Sequence, residues 1–296
     1  MIKKRKLILV LVACICLLSI AGCQSPQKIN VTPEPSVTIL ESTPTDAPTT
    51  SLAPTNAPAF TSEPTNAPTK AQSPSPSITP KPVSNQNTGT GKLAGKIIGI
   101  DSGHQIKANL GVEPIAPGSS ITKMKCSAGT AGINSRVPEY VVNLNVSLKL
   151  RDMLEAEGAT VIMTHTDNNV NITNIERAQI FNTAKTDFSI RIHCNGMDDT
   201  SLNGAFVMQP ASNPYLSDCQ KGAKCVLDEY IKETGFYSKG VYTFDNQTGF
   251  NWCDRMIICI EMGHLSNPSD DARLTNADVQ TKMATGIFNG IMKYYS

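Results

Sequence analysis

The chain carries almost no surplus charge: 26 Lys and Arg stand against 25 Asp and Glu in 296 residues, a net of +1. Beyond about residue 96 there is no Lys/Arg run and no basic face. Nucleic acid is therefore an unsuitable partner, since its binders neutralise phosphates with clustered cations. Also missing is the ~20-residue apolar stretch that a membrane-spanning helix needs. The apolar run over residues 7–18 falls short of it. Disulfides are not required either, because the roughly 200 residues after about 96 can bury a sizeable core.

Export signals are present. Lys3, Lys4, Arg5 and Lys6 precede the apolar run, and Ile20-Ala21-Gly22-Cys23 closes it. A charged n-region, a short h-region and small residues before a Cys read as a secretory signal over residues 1–22, with Cys23 as the acylated residue of a lipoprotein. The protein is thus expected outside the cytoplasm, lipid-anchored to the membrane and reaching into the wall. Residues 23–93 are crowded with Pro, Thr and Ser, and Ala53-Pro-Thr-Asn-Ala-Pro58 nearly recurs at residues 63–68. Such a composition cannot bury a core and is expected to stay extended and disordered. About 70 residues span ~45 Å as a flexible coil and ~200 Å as polyproline.

Of nine Cys, Cys14 and Cys16 lie in the signal and Cys23 takes the lipid. Cys126, Cys194, Cys219, Cys225, Cys253 and Cys259 remain, and these are expected to be mostly buried free thiols. Cys219 and Cys225 lie on one expected helix, where a six-residue rise of ~9 Å is too long for a bridge.

Residues 94–296 alternate strands and helices. Strands are expected over 96–100, 160–164, 188–193, 204–209 and 256–260, and helices over 138–157, 173–184, 213–233 and 276–294. Val142, Val146, Leu150 and Met153 keep helical spacing. Phe188, Ile190 and Ile192 alternate with Ser189, Arg191 and His193, whereas residues 256–260 are continuously apolar, the mark of a strand buried on both faces. The fold class is α/β: a single domain with a mixed, largely parallel twisted sheet flanked by helices, preceded by the disordered linker.

In such sheets, sites gather beyond the carboxyl ends of the strands. His104, His193 and Glu261 each fall at or just past a strand end, and Glu139 opens a helix behind Pro138. Two imidazoles and a carboxylate suit Zn2+ with one open position. Zinc lowers the pKa of a bound water to about 7, and a second carboxylate beside it can carry the proton to a departing amine. Amide hydrolysis needs both.

Four stretches resemble the zinc-dependent N-acetylmuramoyl-L-alanine amidases, the amidase type 3 group. They are Ile98-Gly-Ile-Asp-Ser-Gly-His104, the helix opened by Glu139 with Asn143, Leu150 and Leu154, Phe188-Ser-Ile-Arg-Ile-His-Cys-Asn-Gly196, and Ile260-Glu-Met-Gly-His-Leu-Ser-Asn-Pro268. Glu176-Arg177-Ala178 matches a further element. The resemblance implies zinc held by His104, Glu139 and His193, with Glu261 catalytic. The implied reaction is cleavage of peptidoglycan between N-acetylmuramic acid and L-alanine; the chain itself is expected to act as a monomer. Competing readings are a zinc peptidase acting on stem peptides and a non-catalytic envelope-binding lipoprotein.

The chain also departs from the family. Gln105 stands where a Gly-rich turn is usual, and a loop of about residues 107–136 separates His104 from Glu139. That loop carries Glu113, a rival third ligand, and could form a wall of the substrate groove. Arg191 replaces the usual Ser, and either meets a stem-peptide carboxylate or sits in a buried ion pair. His264 replaces an aromatic and either contacts substrate or packs locally. Asn195 either orients its loop or touches substrate. His165 reads as an ordinary surface histidine, and Trp252 as core more readily than groove lining.

Overall fold

The computed structural model describes residues 91–296. The signal, Cys23 and nearly all of the linker lie outside the described residues. No helix among those described is long and apolar enough to cross a membrane.

A six-stranded sheet forms the centre. β1 (Ile97–Ser102), β4 (Thr160–Met163), β5 (Phe188–Asn195), β6 (Ala205–Pro210), β7 (Ser238–Phe244) and β8 (Ile257–His264) lie in the order β4-β1-β5-β8-β6-β7. β4, β1, β5 and β8 run parallel, β6 is antiparallel to β8, and β7 is parallel to β6. The sheet is mixed and mostly parallel, as expected. β2 (Asn109–Pro114) and β3 (Thr122–Cys126) form a separate antiparallel hairpin. It occupies the segment read from sequence as a long loop.

Alternation along β5 divides the molecule into two layers. Phe188, Ile190 and Ile192 enter the larger core with Ile258, Ile260 and Met262 of β8. Behind them pack α1 (Glu139–Ala156), α3 (Leu216–Thr234) and α6 (Ala277–Tyr294). Val142, Val146, Leu150 and Leu154 make the buried stripe of α1, while Met153 is half-buried at its flank. Each such aliphatic side chain contributes about 1.5–3 kcal/mol on full burial. On the front, Ile257 and Cys259 of β8 join Phe206, Ala178, Phe181 and Phe250. That layer is built by α2 (Asn174–Ala184), α4 (Thr248–Asn251) and the hairpin. The apolar run of β8 is therefore covered on both sides.

The start of α2 is fixed by a capping box: the Thr173 hydroxyl accepts from the Glu176 amide, and the Glu176 carboxylate accepts from the Thr173 amide. The last short helix before α6, α5 (Pro268–Leu274), is capped by Asn267, which accepts from the amides of Ser269 and Asp270. This gives a structural purpose to the Ser-Asn-Pro run after Glu261.

All six cysteines of the described domain are free, five of them buried and Cys225 half-buried. His165 departs from expectation. It is 6 % exposed, its Nδ1 lies 3.1 Å from the Thr164 hydroxyl, and burial, followed by the Arg177 charge, lowers its pKa to about 4. The reason is that the end of β4 turns inward to Asp101 through Thr164 Oγ1, at 2.9 Å. Trp252 is half-buried and packs on the front core, donating from Nε1 to the Pro114 carbonyl at 2.9 Å.

Candidate metal centre

The carboxyl ends of β1, β5 and β8 bring four side chains together. His104 follows β1, His193 ends the regular part of β5, and Glu261 is its register partner on β8. Glu139 enters from the first turn of α1. Ligand-type atoms of His104, Glu139 and His193 all lie within 4.8 Å of one another. His104 Nε2 is 3.1 Å from Glu139 Oε2, and His193 Nδ1 is 3.2 Å from Glu139 Oε1. The two rings stand edge to face, with centroids 4.8 Å apart.

Surrounding groups hold this cluster rigidly. Glu139 accepts from the Thr130 amide at 3.0 Å, the Cys194 amide at 3.0 Å and Asn143 Nδ2 at 3.2 Å. Asn143 lies one helical turn after Glu139, so the i,i+4 spacing puts both on one face. It also donates to the Gly103 carbonyl at 3.2 Å. His104 Nδ1 lies 3.0 Å from the Ser127 carbonyl, the loop after β3 supplying that oxygen. A carbonyl can only accept, so Nδ1 bears the hydrogen there and Nε2 faces Glu139.

The electrostatics favour a cation in this place. Nε2 and Oε2 are both electron-pair donors, and at 3.1 Å a proton or a metal ion must lie between them. Burial opposes protonation of His104, but the charge and hydrogen bond of Glu139 prevail and raise its pKa. Burial also works against ionisation of Glu139. The charge of His104 and the hydrogen bonds from both histidines nevertheless hold it well below the usual carboxylate range. Burial lowers His193 to about 4, outweighing its hydrogen bond to Glu139, so the ring is neutral at pH 7. Its Nε2 is buried without a partner. A neutral imidazole, a second imidazole with a fixed tautomer and an ionised carboxylate form a donor set that fits zinc.

Backbone detail serves the same cluster. His104 has φ 65°, a left-handed conformation uncommon for a residue with a side chain. Its carbonyl is held by Arg177 Nη2 at 3.0 Å. A Cβ on Gly103 would fall 2.3 Å from the His193 ring, and one on Gly129 would fall 2.6 Å from Glu139 Oε2. Only glycine leaves room at these two points.

Glu261 is half-exposed as a residue, yet its Oε2 is out of solvent and has no partner. Burial first, and the negative charge of Glu139 second, push its pKa well above the usual range. Glu113 is not in the cluster. It lies at the amino end of α2, where Oε2 faces the Ile175 amide at 3.4 Å.

Beneath the cluster lies a buried charge group, of which the sequence reading offered only an ion pair at Arg191, without its partner. Asp101 accepts from Arg177 Nη1 at 2.6 Å and from Arg191 Nε at 2.8 Å. Arg191 also donates to Asn174 at 3.0 Å. Of the two roles open to Arg191, the structure shows the ion pair, with Nε on Asp101 and Nη2 on Asn174. His264 is 1 % exposed. Its Nδ1 lies 3.0 Å from the Gly204 carbonyl and its Nε2 3.1 Å from Asn195 Nδ2. It packs locally, and Asn195 orients its loop, with Oδ1 accepting from the Gly196 amide at 2.8 Å. Gln105 replaces a Gly-rich turn with hydrogen bonds, its Oε1 accepting from Arg177 and from the Ile172 amide. Sequence quoted Arg177 within a family element and Asn143 beside Glu139. Ser127 and Thr130 carried no signal, because they act through a carbonyl and an amide that every residue has.

An α/β sheet with a two-histidine, one-carboxylate centre at its carboxyl edge defines the class. Residues 98–293 match the family model described as N-acetylmuramoyl-L-alanine amidase, and the chain belongs to that family. Among its relatives is the N-acetylmuramoyl-L-alanine amidase Rv3717 of Mycobacterium tuberculosis, 25 % identical over 225 residues, covering 71 % of this chain and 90 % of that protein. The germination-specific N-acetylmuramoyl-L-alanine amidase of Bacillus subtilis is 27 % identical over 225 residues, covering 69 % and 81 %. The apo form of the amidase Ami1 from Mycobacterium abscessus shares the fold with a TM-score of 0.63 and 25 % identity, over 69 % of this chain and all of that one. Ami1 from Mycobacterium smegmatis gives 0.64 at 24 % identity, over 69 % and 98 %.

Proposed function

We propose that this chain is a zinc-dependent N-acetylmuramoyl-L-alanine amidase of the bacterial envelope, hydrolysing the amide between N-acetylmuramic acid and L-alanine in peptidoglycan. The observation that carries the reading is the convergence of His104, Glu139 and His193, with Glu261 beside them as the register partner of His193. Zinc, when bound by the first three, supplies Lewis acidity and an acidified water. Glu261 accepts the proton of the attacking water and returns it to the departing L-alanine nitrogen. Asn143, Ser127 and the Thr130 and Cys194 amides hold the ligand side chains in place, which is worth about 10–100-fold in metal affinity. Digestion of purified wall tests the reaction: the new ends should be free muramyl lactyl groups and L-alanine amines. New peptide termini instead would make the chain a peptidase.

The ligand choice has its own test. Glu139→Ala should strip zinc from the purified protein, as measured by elemental analysis, while Glu113→Ala should leave the metal content near one per chain. The opposite pattern would place Glu113 in the site.

The reading places the protein outside the cytoplasm as a monomer, with Cys23 acylated and residues 23–93 as the tether to the wall. Cys23→Ala should then move the protein from the membrane fraction to the soluble one, or leave it unprocessed. Absence of fatty-acid label on the wild-type protein would end the lipoprotein reading.

A further inference from the structure

Glu139 stands at a helix start that has no side-chain cap of its own, since Pro138 precedes it. Its position is set instead by the chain before it. Residues 130–139 fold back on themselves, with Ala131 bridged antiparallel to Pro138. The Glu139 amide donates to the Thr130 carbonyl at 2.9 Å, and the Gly132 amide to the Val137 carbonyl at 3.0 Å. The Thr130 amide donates in return to Glu139 Oε2 at 3.0 Å. A shift of this turn therefore moves the carboxylate and one of its donors together.

The tip of the turn is anchored by Asp271 on α5. Oδ2 accepts from the Asn134 and Ser135 amides, both at 2.8 Å, and Oδ1 accepts from the Ser135 hydroxyl at 2.5 Å. That hydroxyl accepts in turn from the Val137 amide at 3.2 Å. Asp271 is fully buried, and no cation pairs with it among the described residues. A carboxylate taken out of water needs donors in place of its hydration, and here one turn supplies all three. Arg136 in that turn has φ 60°, a left-handed conformation that persists where the surroundings impose it.

We propose that Asp271 is a positioning residue for the candidate metal centre: by fixing the tip of the 132–137 turn, it holds Glu139 in the ligand position. The proposal rests on the zinc reading and deepens it. Zinc binds with full affinity only to the fraction of molecules whose three donors are in place. Without the Asp271 side chain the turn loses three bonds and keeps the one from the Ile133 amide to the Leu265 carbonyl, at 2.9 Å. Glu139 in place for about a tenth of the time lowers zinc affinity about tenfold. The neighbouring Asp270 provides the contrast. It is also buried, but its Oδ2 accepts from the Gly204 and His264 amides, at 2.7 and 3.0 Å, and bonds no part of the turn.

The test measures zinc affinity of full-length variants by competition with a chelator, with thermal melts alongside. Asp271→Ala should bind zinc about tenfold more weakly than the wild type. Asp270→Ala should also melt earlier yet keep its zinc affinity, since neither of its partners is bonded to a ligand side chain. Asp271→Asn should recover most of the affinity, because its carbonyl oxygen accepts from both amides and its NH2 donates to the Ser135 hydroxyl. A second readout needs no metal. Hydrogen exchange at the Thr130 and Cys194 amides, which both donate to Glu139, should quicken in metal-free Asp271→Ala and stay at the wild-type rate in Asp270→Ala. Should Asp271→Ala fail to fold, Ser135→Ala removes one of the three bonds and should weaken zinc about threefold. Wild-type zinc affinity in the variant that folds overturns the proposal. An equal loss in Asp270→Ala overturns it too, by making the effect one of general destabilisation. A wild-type chain that binds no zinc fails the metal reading instead, and the exchange rates then decide by themselves whether Asp271 holds Glu139.

Discussion

Glu261→Gln is expected to give a folded, metal-loaded protein whose amide hydrolysis is about 10²–10⁴-fold slower. Glutamine keeps the size and shape of the side chain and removes only its capacity to take a proton. The metal should stay, because the close contacts of the cluster run among His104, Glu139 and His193, and Glu261 Oε2 has no partner. Burial and the neighbouring Glu139 charge raise the Glu261 pKa above its ordinary 4.5, which moves the carboxyl toward the range where a general base works at neutral pH. The same shift fixes the sign for stability. A carboxyl that holds its proton more tightly when folded costs stability as pH rises from 4.5 toward its folded value. The Gln variant escapes that cost, so its melting temperature at neutral pH should not fall. KM should change little, since the lost interaction acts in the transition state. Zinc content and wall hydrolysis measured on one preparation decide the matter. Loss of metal together with activity would make Glu261 a ligand, and near-normal activity would remove it from the mechanism.

Legibility in the sequence followed burial. β5 could be read because one face is core and the other is not, and β8 because both faces are covered. The helices α1 and α6 could be read because their apolar stripes face a large core. The ligand-type residues were visible for the same reason: His104 and His193 lie at strand ends and Glu139 at a helix start that the pattern marks. β7 was invisible, since it is an edge strand, mostly exposed, with Gly240 breaking its alternation. The β2–β3 hairpin was read as a loop because Leu110, Val112 and Met124 are exposed and its register shifts after Asn109. No burial pattern was there to find. Arg191 and His165 show a different limit. Whether a polar side chain on a known face meets solvent, substrate or a buried partner depends on residues distant in sequence. For Arg191 the deciding residue was Asp101, 90 positions away.

Asp101→Asn is expected to be the most destabilising conservative change in the domain, about 3–5 kcal/mol, the usual cost of removing one partner from a buried ion pair. The carboxylate faces two guanidiniums, with the Asp101, Arg177 and Arg191 side chains 1 %, 2 % and 8 % exposed. Asparagine leaves both cations buried without a counter-charge. Burial alone would raise the Asp101 pKa, but Arg177 and Arg191 outweigh it and hold the carboxyl far below its ordinary 3.8. Its contribution to stability is therefore complete above pH 3.8 and drains as pH falls toward the lower folded value. The wild type should lose stability steeply on acidification below about pH 4, and the Asn variant, already without that term, should lose less. Damage should also reach the metal centre. Arg177 bridges Asp101 to the carbonyls of Ser102 and His104, so releasing it frees the strained turn that presents His104. Zinc affinity should fall about 10–100-fold even where the variant is fully folded. Denaturant melts at pH 7 and at about pH 2.5, below the ordinary carboxyl value, with zinc retention measured at pH 7, read both effects. An Asn variant within 1 kcal/mol of wild type, holding its zinc equally well, would show that the two arginines find other partners and that Asp101 does not support the turn.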